Sequence, residues 1–200
     1  MTDYHNIEEA VLWGDFRNGD KDAYEFMYRK FAPVLYNYGY KITLNRALTQ
    51  DCIQDLFMTL LTNKAKLGAT TSIKFYLYKS LRRDLMRAIK SDHRFVNQSD
   101  QDDSVFNVVF SYESELIEEQ MSAERSASLN RALENLPPRQ KEVIFLRFYE
   151  NLSFEEIAEV MSIEQSSVYK IIYKAIDNLH GKLLVEYSMV LIQLHFLSKI

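Results

Sequence analysis

Two short stretches carry side chains suited to a polyanion. The first, "SIKFYLYKSLRRDLMRAIKSDHR" (residues 72–94), interleaves Phe75, Tyr76 and Tyr78 with Lys74, Lys79, Arg82, Arg83 and Arg87. Separated nucleic-acid strands are held in this way: cations track the phosphates and flat rings give the bases a surface to stack on. A base drawn out of the stack fits a pocket beside such a platform. The second stretch, "EQSSVYKIIYKAIDNL" (residues 164–179), repeats Val168, Ile172, Ala175 and Leu179 at intervals of four, three and four. That spacing makes one buried stripe on a helix. It turns Gln165, Ser166, Tyr169, Lys170, Tyr173 and Lys174 toward solvent, with Ser167 beside them. Short polar residues early in a helix reach base edges in a major groove, and later basic residues meet phosphate.

Each stretch also has a plainer reading. Phe75 and Tyr78 fit a core as well as a base, and the cations fit a solvated face. The second stretch fits an ordinary amphipathic hairpin. A third stretch, "LTQDCIQDLFMTLL" (residues 48–61), sets Asp51, Gln54 and Asp55 on one helical face, with Ile53, Leu56, Phe57 and Leu60 on the other. In isolation these are solvated carboxylates on a surface helix.

Covalent chemistry finds no support. There is no Gly-rich phosphate loop, no cluster with metal-ligand spacing and no nucleophile beside a base. His5, His93, His180 and His195 are scattered, and Cys52 is the only cysteine. The chain is therefore expected not to be an enzyme, with no cofactor and no metal, and no disulfide forms within it.

The elements that position these residues read as helices. With 5 Gly and 3 Pro in 200 residues, folds rich in tight turns are disfavoured and an all-α fold is expected. Trp13 and Phe16 belong to a short helix closed at Asn18-Gly19-Asp20. Ala23, Phe26, Met27, Phe31, Val34 and Leu35 follow at helical spacing. A third helix begins after Asn45, with Ile53, Leu56, Phe57, Leu60 and Leu61 as its apolar set. A fourth runs from about Ser72 to Lys90, with Phe75, Leu77, Leu81, Leu85 and Ile89 inside. Further on, Leu129, Ala132, Leu133 and Leu136 make one amphipathic face. Pro137-Pro138 ends that helix and starts the next, because proline suits a first turn and not an interior. Val143, Leu146 and Phe148 continue the core. Ser153 and Glu156 have the spacing of a capping box, which starts a helix at Ser153.

Charge sets the domain boundaries. Lys74 to Arg94 holds seven basic residues against Asp84 and Asp92, whereas no Lys or Arg lies between Arg94 and Arg125. That interval holds eight acidic residues, and "NQSDQDDS" reads as a solvated linker. The expected organisation is a helical domain over 1–94, an acidic linker over 95–120, a helix-turn-helix domain over 121–182 and an apolar extension over 183–200. The formal net charge of the chain is -4. A protein that gripped duplex DNA alone would usually be basic, since phosphate neutralisation supplies much of the affinity. No basic leader opens the sequence, and "LLVEYSMVLIQLHFLSKI" is interrupted by Glu186, Gln193 and His195. A cytoplasmic protein without a membrane span is expected.

Together these residues resemble RNA polymerase sigma factors of the extracytoplasmic-function type. "LPPRQKEVIFLRFYENLSFEEIAEVMSIEQSSVYKIIYKAIDNL" is similar to that family's region 4, through Leu136, Pro137, Ser153, Glu156, Ile157, Ala158, Val168, Lys174, Ala175 and Leu179. "LTQDCIQDLFMTLL" resembles region 2.2, through Asp51, Gln54, Asp55, Leu56 and Phe57. Residues 72–94 resemble regions 2.3 and 2.4. The resemblance covers roughly 8–94 and 121–182, in the family's order. It implies two helical domains, and core RNA polymerase as partner through its β′ and β subunits. Asp51, Gln54, Asp55 and Phe57 would grip the β′ coiled coil. Lys74, Tyr76, Tyr78, Lys79, Arg82, Arg83 and Arg87 would open and hold the minus-ten element of promoter DNA. Gln165, Ser166, Ser167, Tyr169, Lys170, Tyr173 and Lys174 would read the minus-thirty-five element. An anti-sigma factor is a further partner the resemblance allows. The chain departs from the family at Arg83, where asparagine is usual, and at Tyr169 and Ile171, where basic residues are frequent. The competing readings are a stand-alone dimeric helix-turn-helix regulator and a helical adaptor or inhibitor. Neither accounts for both residues 48–61 and 72–94.

Overall fold

The computed structural model describes residue 4, residues 7–94 and residues 132–180. All regular structure among them is helical. The chain divides into two compact units. The helices up to Arg94 belong to the first, and the bulk of those from Pro138 on belong to the second. The acidic stretch 95–120, the segment around Met121 and Leu129, and residues 183–200 lie outside the described residues.

In the first unit, α1 spans Glu9–Asn18. Gly19 ends it with φ at 98°, a conformation that only glycine adopts without cost. The turn is closed by the Gly19 and Asp20 N–H groups donating to the carbonyls of Phe16 and Asp15, each at 3.0 Å. Asp20 then caps α2 (Lys21–Thr43), its carboxylate accepting from the Ala23 N–H at 3.1 Å. That bond, more than any other contact, holds the Asp20 carboxyl below its ordinary range. Asn45 repeats the device for α3 (Arg46–Asn63), accepting from the Leu48 N–H at 3.1 Å.

A short turn at Lys64–Lys66 and a loop lead to α4 (Ile73–Arg94). α1 fixes both: the Trp13 indole donates to the Gly68 carbonyl at 2.8 Å, and the Glu9 carboxylate accepts from the Ile73 N–H at 2.7 Å. An acidic side chain at a helix start also meets the positive end of the helix dipole.

α2, α3 and α4 pack mutually, with α1 across α2 and α4. Trp13, Phe16, Met27, Leu35, Leu60 and Leu77 are buried at their centre. Gly39 sets how closely α2 meets its neighbours. A Cβ there would lie 2.9 Å from Thr49 Cγ2 of α3 and 3.3 Å from Leu85 Cδ1 of α4. Tyr4 straps the chain start onto this unit. Its ring lies near Phe26, and its hydroxyl donates to the carboxylates of Asp15 and Asp20, each at 3.2 Å. Burial foremost, then those acids, push the Tyr4 hydroxyl up to about 12.

In the second unit, residues 132–134 are helical and Ala132, Leu133 and Leu136 are buried. α5 (Pro138–Ile144) carries proline in its first turn and passes into one wide turn over Phe145–Tyr149. There the Glu150 N–H reaches back five residues to the Phe145 carbonyl at 3.1 Å. The capping box at α6 (Phe154–Met161) is reciprocal. The Ser153 N–H donates to Glu156 Oε2 at 2.8 Å, and the Glu156 N–H donates to Ser153 Oγ at 3.1 Å. Ser162, at φ 54°, turns the chain into α7 (Gln165–His180). α7 packs on α5, where Asn178 donates to Gln140 at 2.9 Å. Among the described residues no helix is long and apolar enough to cross a membrane.

Candidate functional site

On α3 the three polar residues singled out from the sequence, Asp51, Gln54 and Asp55, are all exposed on one face. Phe57 is not part of that face. It is 1% exposed and packs edge-on against Tyr24 and Tyr28 of α2, with centroids 6.2 and 4.9 Å away. The expectation that Phe57 touches a partner is corrected: it holds the helix that displays the others. Leu61, expected in the core, is 37% exposed, and Met58 is 53% exposed. Residues three and four apart share a helical face. Met58 and Leu61 therefore extend the acidic face as an apolar end, which the sequence reading missed. The interval from Asp55 to Met58 was the available signal. Below this face burial pushes the Cys52 thiol up, with the fields of Asp84, Asp55 and Asp51 adding to it.

The seven residues expected to hold DNA on α4 fall into three sets. Lys79, Arg83 and Arg87, four residues apart, form one exposed stripe, and exposed Lys90 prolongs it. The Lys79 ammonium lies 5.6 Å from the half-buried Phe75 ring, so a cation and an aromatic share one end of the stripe. Arg83 and Arg87 approach the Asp84 carboxylate at 3.3 and 3.7 Å. Exposed pairs of this kind are worth little and yield readily to a competing anion.

Lys74 and Arg82 are half-buried and lie four residues either side of Tyr78, with Lys74 over the Tyr78 ring at 5.9 Å. Tyr78 itself is 0% exposed and packs against the buried Tyr38 ring at 4.9 Å. It offers no face to a base, so its expected DNA contact is corrected to a core role. Tyr76 is half-buried against Trp13, with centroids 5.2 Å apart.

On α7 the stripe of Val168, Ile172, Ala175 and Leu179 is buried, as its spacing required. Gln165, Ser166, Lys170, Tyr173 and Lys174 are exposed, and Ser167 is half-buried. Tyr169 differs from the expectation of a solvent-facing ring. It is half-buried and stacks on Phe154 of α6, with centroids 4.4 Å apart and planes 25° from parallel. Among the described residues no group of three or more His, Cys, Asp or Glu side chains is arranged to hold a metal.

Residues 126–192 match the family model for sigma-70, region 4. That match includes residues 183–192 of the stretch read from the sequence as an apolar extension. The chain is 22% identical over 156 residues to the RNA polymerase sigma factor YlaC of Bacillus subtilis, covering 78% of this chain and 88% of that protein. It is 25% identical over 149 residues to a probable RNA polymerase sigma factor of Haemophilus influenzae, covering 68% of this chain and 77% of that one. Among solved structures, the sigma factor RpoE of Bartonella quintana, crystallised with the anti-sigma factor NepR, shares the fold. Its TM-score is 0.57 at 19% identity, over 83% of this chain and 99% of that chain.

Proposed function

We propose that the chain is an RNA polymerase sigma factor of the sigma-70 family, in its extracytoplasmic-function branch, and that its two units divide the work of initiating transcription. The chain is a transcription initiation factor, and the family is not a family of enzymes. The first unit, over 1–94, binds core RNA polymerase and holds the minus-ten element. The acidic segment 95–120 connects it to a domain over 121–182 that reads the minus-thirty-five element.

The observation that carries this reading is the pair of helices α3 and α4 set on one scaffold helix, α2. α3 displays Asp51, Gln54 and Asp55, with Met58 and Leu61 as an apolar end. A polar face ending in exposed apolar groups suits another protein better than water or DNA. α4 displays Lys79, Arg83, Arg87 and Lys90, with Phe75 and Tyr76 at its start. One neighbour therefore meets a protein and the other meets phosphates and unstacked bases.

This division also accounts for the net charge of -4. The polymerase would supply most of the positive surface, and the chain would add specificity at two points. A partner of the anti-sigma class would act by covering these same faces.

The test is binding of the purified chain to bacterial core RNA polymerase, by wild type and by the Gln54→Ala/Asp55→Ala double variant. Both side chains are exposed, so the double variant is expected to keep its circular dichroism spectrum and lose at least ten-fold in affinity. Absence of binding by both the wild-type chain and its first domain would refute the reading. A double variant that bound as tightly as wild type would move the docking face elsewhere.

A further inference from the structure

Tyr169 stands where the family often has a basic residue, and its ring is already engaged. Phe154, on which it stacks, is the first residue of α6, directly after the capping-box serine. The backbone there is fixed by two reciprocal hydrogen bonds. The Arg147 guanidinium lies over the Phe154 ring at 4.8 Å and donates to the Leu152 carbonyl at 2.8 Å. Arg147 is thus committed inside the unit and half-buried. The result is a fixed series, Arg147 to Phe154 to Tyr169, that holds one face of the Tyr169 ring against the protein.

The ring is only half-buried, so part of its surface remains accessible beside the exposed residues of α7. Lys170 is next to it, Gln165 and Ser166 are one turn before, and exposed Tyr173 is one turn after. A neutral ring displaces no counterion, so Tyr169 adds nothing to the general attraction for phosphate. Apart from its hydroxyl the ring edge is apolar, and an apolar edge matches one feature of a major groove above all, the 5-methyl group of thymine. Stacking on Phe154 also removes rotamer freedom before binding, so little entropy is lost when the contact forms.

We propose that Tyr169 is a specificity-determining residue that reads a thymine methyl in the upstream promoter element, and that Phe154 and Arg147 are its positioning residues. This rests on the reading of α7 as a promoter-binding helix. It adds the chemical feature recognised and the side chains that hold the reader in place.

The experiment uses polymerase reconstituted from core enzyme and the full chain. A duplex library randomised upstream of a fixed start region is selected for binding and sequenced. Each thymine in the enriched element is then replaced singly by deoxyuridine, which removes only the methyl. One replacement is expected to weaken the wild-type complex about four-fold, the effect of one buried methyl group. The Tyr169→Ala complex should be indifferent to that replacement. Tyr169→Phe should keep the discrimination, because the hydroxyl takes no part. Phe154→Leu should bring the ratio of affinities for the thymine and deoxyuridine duplexes toward one, a ratio that a merely structural loss, which weakens both complexes alike, would not move.

No enriched element would overturn the promoter-binding reading and this inference with it. An enriched element in which no thymine is sensitive, or whose sensitivity survives in Tyr169→Ala, would overturn this inference alone. So would a Tyr169→Phe complex that lost the discrimination.

Discussion

Replacing Gly39 by alanine puts the spacing of the two site helices to the test. In an exposed helix interior the change would stabilise by about 1 kcal/mol, because alanine is the better helix former. At Gly39 the added Cβ would sit 2.9 Å from Thr49 Cγ2 and 3.3 Å from Leu85 Cδ1. Thr49 cannot turn its methyl away cheaply. Its hydroxyl lies 2.7 Å from the Thr43 hydroxyl and donates to the Asn45 carbonyl at 2.8 Å, where α3 begins. Thr49 and Leu85 are fully buried, so neither has free volume to enter.

Overpacking of this kind costs about 1–3 kcal/mol, and the pinned threonine puts this site near the upper end. Less the gain in helix propensity, the expected net loss is about 2 kcal/mol. The assay is urea unfolding followed by the fluorescence of Trp13, the single tryptophan, which is buried in this unit and reports on it alone. Thr49→Ser removes the obstructing methyl and keeps the hydroxyl. The double variant should therefore recover most of the loss, with a coupling of about 1–3 kcal/mol between the two positions. A Gly39→Ala protein as stable as wild type, or a double variant whose losses simply add, would refute the account of how α2 sets the positions of α3 and α4.

Other outcomes follow from the same structure. Ser153→Ala, which removes half of the capping box, should cost about 1 kcal/mol; circular dichroism in urea should register it while Trp13 fluorescence does not. Phe57→Ala should lose about 3–5 kcal/mol of first-unit stability through the cavity it leaves, against almost nothing for Asp55→Ala. With the folded fraction matched, polymerase binding is expected to weaken in Asp55→Ala and to persist in Phe57→Ala; the opposite pattern would refute the proposed docking face.

The Tyr4 hydroxyl, held near 12 in the fold against an ordinary value of 10, contributes stability that is complete below pH 10 and is lost as pH rises toward 12. The thermal midpoint of wild type should thus fall toward that of Tyr4→Phe across this interval. Asp20 works in the opposite sense. Its lowered pKa gives stability that is present above its ordinary value of 3.8 and is lost as pH falls through the folded value. Asp20→Asn should keep the cap and flatten this acid dependence in a thermal melt.

Local signals in the sequence were enough to locate the helices. The Asn18-Gly19-Asp20 turn, Asn45, Pro137-Pro138 and the Ser153 capping box act within a turn of their own position, so those boundaries were legible locally, whereas α4 runs on to Arg94, past the expected end near Lys90. The buried stripe of α7 was legible for the same reason, since helical periodicity alone decides which positions share a face. The face bearing Asp51, Gln54 and Asp55 came out where its spacing put it, whereas the cations of α4, read together from the sequence, divide into exposed Lys79, Arg83 and Arg87 and half-buried Lys74 and Arg82.

What periodicity leaves open is which of two faces a neighbouring helix covers. α2 lies against α3 so that Phe57 enters between Tyr24 and Tyr28 while Leu61 stays exposed, although both are large and apolar and lie one turn apart. Tyr78 sits among cations in the sequence and meets Tyr38, forty residues earlier in the chain, in the fold. Tyr169 reads as solvent-facing along α7, until α6 sets Phe154 against its ring. Burial is a property of two surfaces brought together by the tertiary fold, and a single helix states only one of them.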